Sequence, residues 1–310
     1  MKSHINTPSR AAEARGNDSQ GVALVLIAAI GFSAKAIFAK LLYRYSLDAT
    51  TVLSLRMIFS LPFFLGMGWW AQKTPLTTPL TRKEWWQLIG LGFIGYYLSS
   101  LFDFMGLVYI STGLERLILF LYPTLVLIMS VLIYQRKIMR REWLALILCY
   151  GGILLVFVHD LEKSLAHSRH IWLGSALVFT SAFTYAGYLL FSGGLIQRLG
   201  SLRFTAYAML VSTTAVLLQF FLTHSWRNWL QTLPVYGLSL AMALCSTVLP
   251  TWLLAEGIRR IGSGRASLIG AVGPVATIFL GWLVLGEQIT PYQLGGAALV
   301  LLGVLQVSKR

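Results

Sequence analysis

Apolar residues along this chain fall into long unbroken blocks separated by short polar breaks. They do not alternate as strands do, nor do they form the one-sided stripe of a surface helix. A hydrocarbon layer about 30 Å thick needs roughly 20 apolar residues per helix. Ten blocks qualify or nearly qualify: 21–42, 50–70, 85–108, 113–134, 142–158, 171–191, 203–223, 234–257, 264–285 and 291–307. The pattern predicts an all-α membrane protein with ten transmembrane helices. Breaks fall at Lys73–Pro79, Gln135–Lys137, His159–His170, Gly200-Ser201 and Arg259–Gly264. Trp69, Trp70, Trp85, Trp86, Trp172 and Trp226 cluster near predicted span ends, where aromatic belts meet the membrane surface. Residues 1–20 form a polar tail expected to be disordered. The block that follows is too long for a signal peptide and lacks a cleavage site.

Two blocks echo one another. Gly113–Tyr134 and Gly264–Leu285 are apolar runs of 22 residues, with Pro123 and Pro274 at the same step. At an offset of 151, residues 106–156 align with 257–307 without a gap and share 12 of 51 positions, among them Gly106/Gly257, Gly113/Gly264, Pro123/Pro274 and Gly152/Gly303. The chain therefore reads as an internal duplication, with a first repeat over 21–158 and a second over 171–307. Duplicated hydrophobic halves are the hallmark of secondary transporters.

Composition fits a membrane protein: 56% of the 310 residues are hydrophobic, 12% are charged and mean hydropathy is +0.71. A soluble domain carries about 25% charged residues. The net charge of +14 does not point to nucleic acid, because the basic residues sit mainly in short loops and set orientation. The tails and the loops after the even-numbered spans carry 17 Lys and Arg, and the opposite loops carry four. Both termini are expected in the cytoplasm, in a multi-pass protein of the cytoplasmic membrane. With five spans per repeat, the second enters upside down. Such an inverted pair places a pocket near the midplane. Cys149 and Cys245 lie in apolar runs without metal-ligand spacing. There is no phosphate-cradling glycine loop, HExxH or Gly-x-Ser-x-Gly. Neither a metal, a cofactor nor enzymatic chemistry is expected.

Charged side chains inside a membrane are costly, and by default they are paired or functional. Lys35 lies about 20 Å along the first span at ~1.5 Å per residue, too deep to snorkel easily. Arg56, Asp103, Glu115, Arg116 and Lys40 join it toward the outer half of the first repeat. The matching second-repeat positions, Tyr188 for Lys35, Met209 for Arg56, Leu254 for Asp103, Ala266 for Glu115 and Ser267 for Arg116, carry no charge. Arg56 and Asp103 fit either a structural ion pair between the second and third spans or a gate. Lys35 fits an anchor for an anionic substrate group, with Arg56 as its helper. Asp103 or Glu115 fits a proton acceptor, whereas Glu115 near a helix start also complements the dipole. Arg116 and Lys40 fit headgroup-level cations, Glu256 a local ion pair with Arg259 and Arg260, and Glu287 a polar turn. Pro123, Pro250 and Pro274 interrupt the fourth, eighth and ninth spans and are hinge candidates. The aromatics Tyr96, Tyr97, Phe102, Tyr122, Tyr185 and Tyr188 fit a pocket wall for a mixed apolar–polar solute, although packed or lipid-facing aromatics are the commoner case.

At Gly31-Phe-Ser-Ala-Lys35, Leu53-Ser-Leu-Arg56, Gly106 to Pro123, Gly270-Ala-Val-Gly-Pro274 and Leu285-Gly-Glu-Gln288 the chain resembles EamA-type members of the drug/metabolite transporter superfamily. The resemblance covers about residues 20–310. It implies ten helices in two inverted five-helix EamA repeats and a central cavity lined by spans 1, 3, 4, 6, 8 and 9, with spans 5 and 10 peripheral. It also implies alternating-access export of amino acids, other small metabolites or toxic compounds. Gln135-Arg-Lys137 stands where the second repeat has Gly286-Glu-Gln288, so that acidic position has no general transport role. A small solute and the lipid bilayer are the expected partners, with proton coupling as an alternative. An intramembrane enzyme or a non-transporting scaffold are the competing classes.

Overall fold

The computed structural model describes residues 8–73, 79–135 and 168–308, together with 140, 143–144, 147–148, 150–152 and 154–155. Among them the chain is helical throughout, without strands. Seven helices are long and apolar enough to cross a membrane: Asp18–Tyr43, Ala49–Gln72, Arg82–Leu107, Thr112–Ile133, His170–Leu199, Ser201–Thr223 and Leu233–Ile261. They coincide with the first four and the sixth to eighth expected spans. The ninth is present as shorter pieces and the tenth as Pro291–Ser308, of 18 residues. The fifth, 142–158, and the connection 159–170 lie largely outside the described residues.

The first helix, α1, runs over Pro8–Tyr43. It begins ahead of the first expected span, within the stretch read from the sequence as a polar tail. Proline fits a first helical turn, and Ala11, Ala12, Glu13, Ala14 and Arg15 are strong helix formers, so the apolar helix extends outward through them. Residues 1–7 lie outside the described residues. Helix α2 (Ala49–Gln72) starts where the Asp48 carboxylate accepts from the Thr50 and Thr51 amides. Helix α3 (Arg82–Leu91) starts at a Thr81/Glu84 capping box. Between the sixth and seventh spans Gly200 turns at φ +78°, and between the eighth and ninth Gly262 turns at φ +81°, a backbone region suited to glycine.

Several expected spans are interrupted, and the interruptions obey the repeat. The third passes from α3 through a π-helical stretch, Gly92–Leu98, into α4 (Ser99–Leu107). Adding 151 to 92–98 gives 243–249, and there the eighth span carries its own π stretch, Leu244–Val248, between α9 (Leu233–Ala243) and α10 (Leu249–Ile261). The fourth breaks at Phe120-Leu121 between α5 (Thr112–Leu119) and α6 (Tyr122–Tyr134). The ninth breaks at Gly270–Val272, between α11 (Ser263–Ile269) and α12 (Gly273–Leu280). Pro123, Pro250 and Pro274 each fall in the first turn of the segment after such a break. They were expected as kinks within continuous helices. They begin new segments instead, at positions where a missing N–H goes unmissed.

Packing is two-fold in pattern. The largest contacts join the first span to the eighth, the third to the sixth (α7, Ser168–Leu199), and the second to the seventh (α8, Ser201–Thr223). A Cβ on Gly106 would meet Val178 Cγ2 at 2.6 Å and the Gly174 carbonyl at 2.7 Å. Its repeat partner Gly257 approaches Val25 and the Gly21 carbonyl in the same way. Gly174 and Gly21 in turn face Ile110 and Ile261 at 2.8 and 2.6 Å. The two crossings are copies of one another, each needing a glycine so that backbones can approach. The periphery is apolar: Trp69, Trp70, Trp86, Trp172 and Trp226 stand more than half exposed, as a lipid-facing surface requires.

Candidate functional site

At the crossing of these helices lies a cavity of about 90 Å³. A water needs roughly 10–15 Å³ on the same scale, so the space suits a solute of several heavy atoms. Both repeats line it: Ala29, Phe32 and Lys35 from the first span, Arg56 from the second, and Tyr96, Ser99 and Ser100 from the third. The fourth contributes Arg116, Phe120 and Tyr122, the sixth Tyr185, the seventh Met209, the eighth Ser246, Thr247 and Thr251, and the ninth Gly270 and Gly273. The second and seventh spans thus reach the cavity, which the family resemblance did not imply, and they do so through the repeat-related pair Arg56 and Met209.

The broken helices shape this lining. At the π stretch of the eighth span the Ser246 and Thr247 hydroxyls both turn to the Met242 carbonyl, at 2.7 and 3.3 Å. Ser181 Oγ of the sixth span donates to the Ser99 carbonyl of the third at 2.7 Å. Ser33 Oγ, directed at the Ala29 and Gly273 carbonyls at 2.8 and 2.9 Å, ties the first span to the break in the ninth. Four tyrosines form a continuous wall. The Tyr96 and Tyr188 hydroxyls lie 2.6 Å apart, Tyr188 stacks on Tyr185 at 5.7 Å, and Tyr185 meets Tyr122 edge-on at 5.2 Å. Tyr96, Tyr122 and Tyr185 line the cavity and Tyr188 stands behind them. Tyr97 packs instead against Phe93 at 4.9 Å.

The expected charged residues do converge, but with other partners. Lys35, not Arg56, forms the salt bridge with Asp103. The Asp103 side chain is 1% exposed and that of Lys35 12%. Arg116 is buried and not at headgroup level: its Nη2 donates to the Phe32 carbonyl at 2.6 Å and its Nε lies 3.5 Å from Glu115 Oε2. Glu115 is fully buried, and its carboxyl interacts with that of Asp103. Lys40 donates to the Ile110 carbonyl at 2.8 Å, closing a loop between spans instead of reaching a headgroup. Arg56 is 3% exposed and forms no ion pair or side-chain hydrogen bond among the described residues. Its guanidinium lies over the Phe104 ring at 4.9 Å, and Lys35 Nζ approaches the same ring at 5.8 Å.

Polar ties occupy both ends of the bundle, between the repeats at one end and within the second repeat at the other. At one, Thr112 Oγ1 donates to Glu287 Oε2 at 2.5 Å and Arg44 reaches the Leu285 carbonyl at 3.3 Å. Glu287 is therefore more than a polar turn: it binds the start of α5. At the other end Glu256 accepts from Arg259 at 2.6 Å, Arg260 at 2.8 Å and Ser201 at 2.5 Å. The local pairing expected for Glu256 is present, and Ser201 extends it to the seventh span.

Apolar helices in two related sets, crossing around a cationic and hydroxyl-rich cavity, define a multi-pass membrane protein of the transporter class. Residues 19–158 and 172–309 each match the EamA-like transporter family, and the chain belongs to that family. It is 30% identical over 291 residues to the uncharacterized transporter YcbK of Bacillus subtilis, covering 92% of each chain. It is 25% identical over 312 residues to an uncharacterized transporter of Synechocystis, again covering 92% of each. A solved crystal structure shares the fold, with a TM-score of 0.68 and 15% identity over 94% of this chain and 99% of that one.

Proposed function

We propose that this transporter is a ten-span carrier of inverted repeats, with both termini cytoplasmic, that exports a small metabolite across the cytoplasmic membrane by alternating access. The observation that carries this reading is the cavity, lined from both repeats where repeat-related helices break. A cavity of about 90 Å³ favours an amino-acid-sized or amphipathic organic solute over a bulky drug. The excess of 17 Lys and Arg against four supports the orientation. Breaks ahead of Pro123, Pro250 and Pro274 supply hinges on the cavity wall. The Thr112–Glu287 tie and the Arg265–Asp18 pair, at 2.9 Å, are then the contacts that open in turn at the outer and inner mouths.

Proton-coupled efflux of toxic compounds is the second reading, favoured by the interacting buried carboxyls of Asp103 and Glu115. One experiment addresses both. Metabolites that raise the melting temperature of the purified protein are tested for counterflow in proteoliposomes, with and without an imposed pH gradient. Saturable counterflow is expected. A gradient that drives accumulation selects proton coupling, and a protein that binds solutes but passes none is a scaffold or sensor.

A further inference from the structure

Of the three cations on the cavity wall, two are already engaged. Lys35 is held by Asp103, and Arg116 by the Phe32 carbonyl with Glu115 beside it. Arg56 has no such partner, although it is buried as deeply as Arg116. Its Nε has no hydrogen-bond partner, and no acceptor satisfies the rest of its fork among the described residues. Asp103 and Tyr43 are near enough to influence it, but Asp103 forms its salt bridge with Lys35. The Phe104 face supports the cation without supplying a lone pair. A guanidinium out of water with its donors unused is expensive, and here it borders space large enough for a solute.

We propose that Arg56 is the anchor of a carboxylate-binding subsite, and that the transported solute presents one anionic group to it. This rests on the carrier reading above and names its substrate class. Three cations on the cavity wall, Lys35, Arg56 and Arg116, stand with two buried carboxyls, Asp103 and Glu115. The cations outnumber the carboxyls, and a solute carboxylate reduces that imbalance. The planar fork of arginine matches a carboxylate with two parallel hydrogen bonds, which a lysine at this place could not do. Opposite Arg56 the repeat-related Met209 is apolar, and Tyr96, Tyr122 and Tyr185 add aromatic faces. The remainder of the solute is therefore apolar or amphipathic. The sequence ranked Lys35 first as the anchor. The structure assigns Lys35 to Asp103 and leaves the open valence on Arg56.

The test compares carboxylates with their neutral amides, which keep shape and lose charge: acetate with acetamide, propionate with propionamide, and benzoate with benzamide. Each is titrated against the purified full-length protein while its melting temperature is followed. At least one carboxylate is expected to raise that temperature with an apparent affinity at least tenfold above its amide. Arg56→Met should weaken this response about 100-fold, and Arg56→Lys by about tenfold, consistent with loss of charge-assisted hydrogen bonds. The melting temperature of Arg56→Met without ligand, equal to or above that of the wild type, separates lost recognition from lost folding. If that variant melts well below the wild type, Arg56→Lys against wild type gives the same comparison with the charge kept. No preference for any carboxylate over its amide, or an undiminished response in the Arg56 variants, overturns the subsite. Counterflow of a neutral solute independent of Arg56 overturns it while leaving the carrier reading intact. Carboxylate binding that needs Arg56, without flux of any solute, confirms the subsite and overturns the carrier reading.

Discussion

Lys35 and Asp103 offer a quantitative test of how the cluster is held, because their exposures differ. Asp103 is 1% exposed and Lys35 12%, on the cavity side. Replacing Lys35 by Met leaves a carboxylate sealed among α1, α2 and α5, with Arg56 and Arg116 as the remaining nearby cations. Breaking a buried pair from one side costs about 3–5 kcal/mol, and those two cations place Lys35→Met near the lower end. Replacing Asp103 by Leu leaves an ammonium that can turn toward cavity water, so its cost is smaller, about 1–3 kcal/mol. The double variant Lys35→Met/Asp103→Leu removes both charges from a low-dielectric site and is expected within about 1 kcal/mol of wild type, or above it. At roughly 2 °C per kcal/mol for a chain of this size, Lys35→Met should melt about 6 °C lower in detergent, Asp103→Leu about 2–6 °C lower, and the double variant within ~2 °C. The assay is a thermal melt of the three purified variants, read as a double-mutant cycle. Additive losses in the double variant would refute the argument, since the residues would then contribute by packing alone.

Three other expectations follow from named contacts. Gly106→Ala and Gly257→Ala should each lower stability by about 1–3 kcal/mol, and by similar amounts, because each forces a Cβ against its own copy of the same crossing. A melt in which only one variant suffers would show the copies to be unequal. Tyr96→Phe and Tyr188→Phe should each cost about 1–3 kcal/mol by stranding the partner hydroxyl. Only Tyr96→Phe should also change solute affinity, since Tyr188 does not reach the cavity; equal effects on binding would contradict that placement. A disulfide between Thr112→Cys and Glu287→Cys should stop counterflow under oxidant and release it under reductant, and flux indifferent to oxidation would show that this tie does not open.

How far the sequence foretold this arrangement depended on the kind of information each feature needs. Hydrophobic blocks report which stretches leave water, so the first four and the sixth to eighth spans fell where expected. The duplication was legible from Gly106/Gly257 and Pro123/Pro274 because backbone approach and missing donors tolerate few substitutes. The π stretches at Gly92–Leu98 and Leu244–Val248 were not, since an apolar run looks the same whether its carbonyls bond four or five residues on. The identity of the charged cluster was readable, as charges in such runs stand out. Its pairing was not: whether Asp103 meets Lys35 or Arg56 depends on how three helices rotate about their axes. Neither periodicity nor depth fixes that rotation. Glu287 was passed over for a related reason, because its partner Thr112 lies in the other repeat.

The backbone is built twice while the charge is built once, and this bears on how a carrier of this kind would alternate. If the repeats were identical in sequence, the states open to either side would be mirror arrangements of equal free energy. Here Arg56 corresponds to Met209, and Lys35, Asp103, Glu115 and Arg116 correspond to Tyr188, Leu254, Ala266 and Ser267. Under the alternating access proposed above, exchanging the two conformations would carry the same cations through different surroundings, and the two states would not be degenerate. A bound anion satisfies Arg56 in whichever state holds its donors most fully out of water. Its differential affinity for the two states, not its affinity as such, then moves the equilibrium. In the proposed carrier the charge of the first repeat would then have two consequences with one cause: it would select what enters the cavity, and it would make the empty and loaded carriers rest in different proportions.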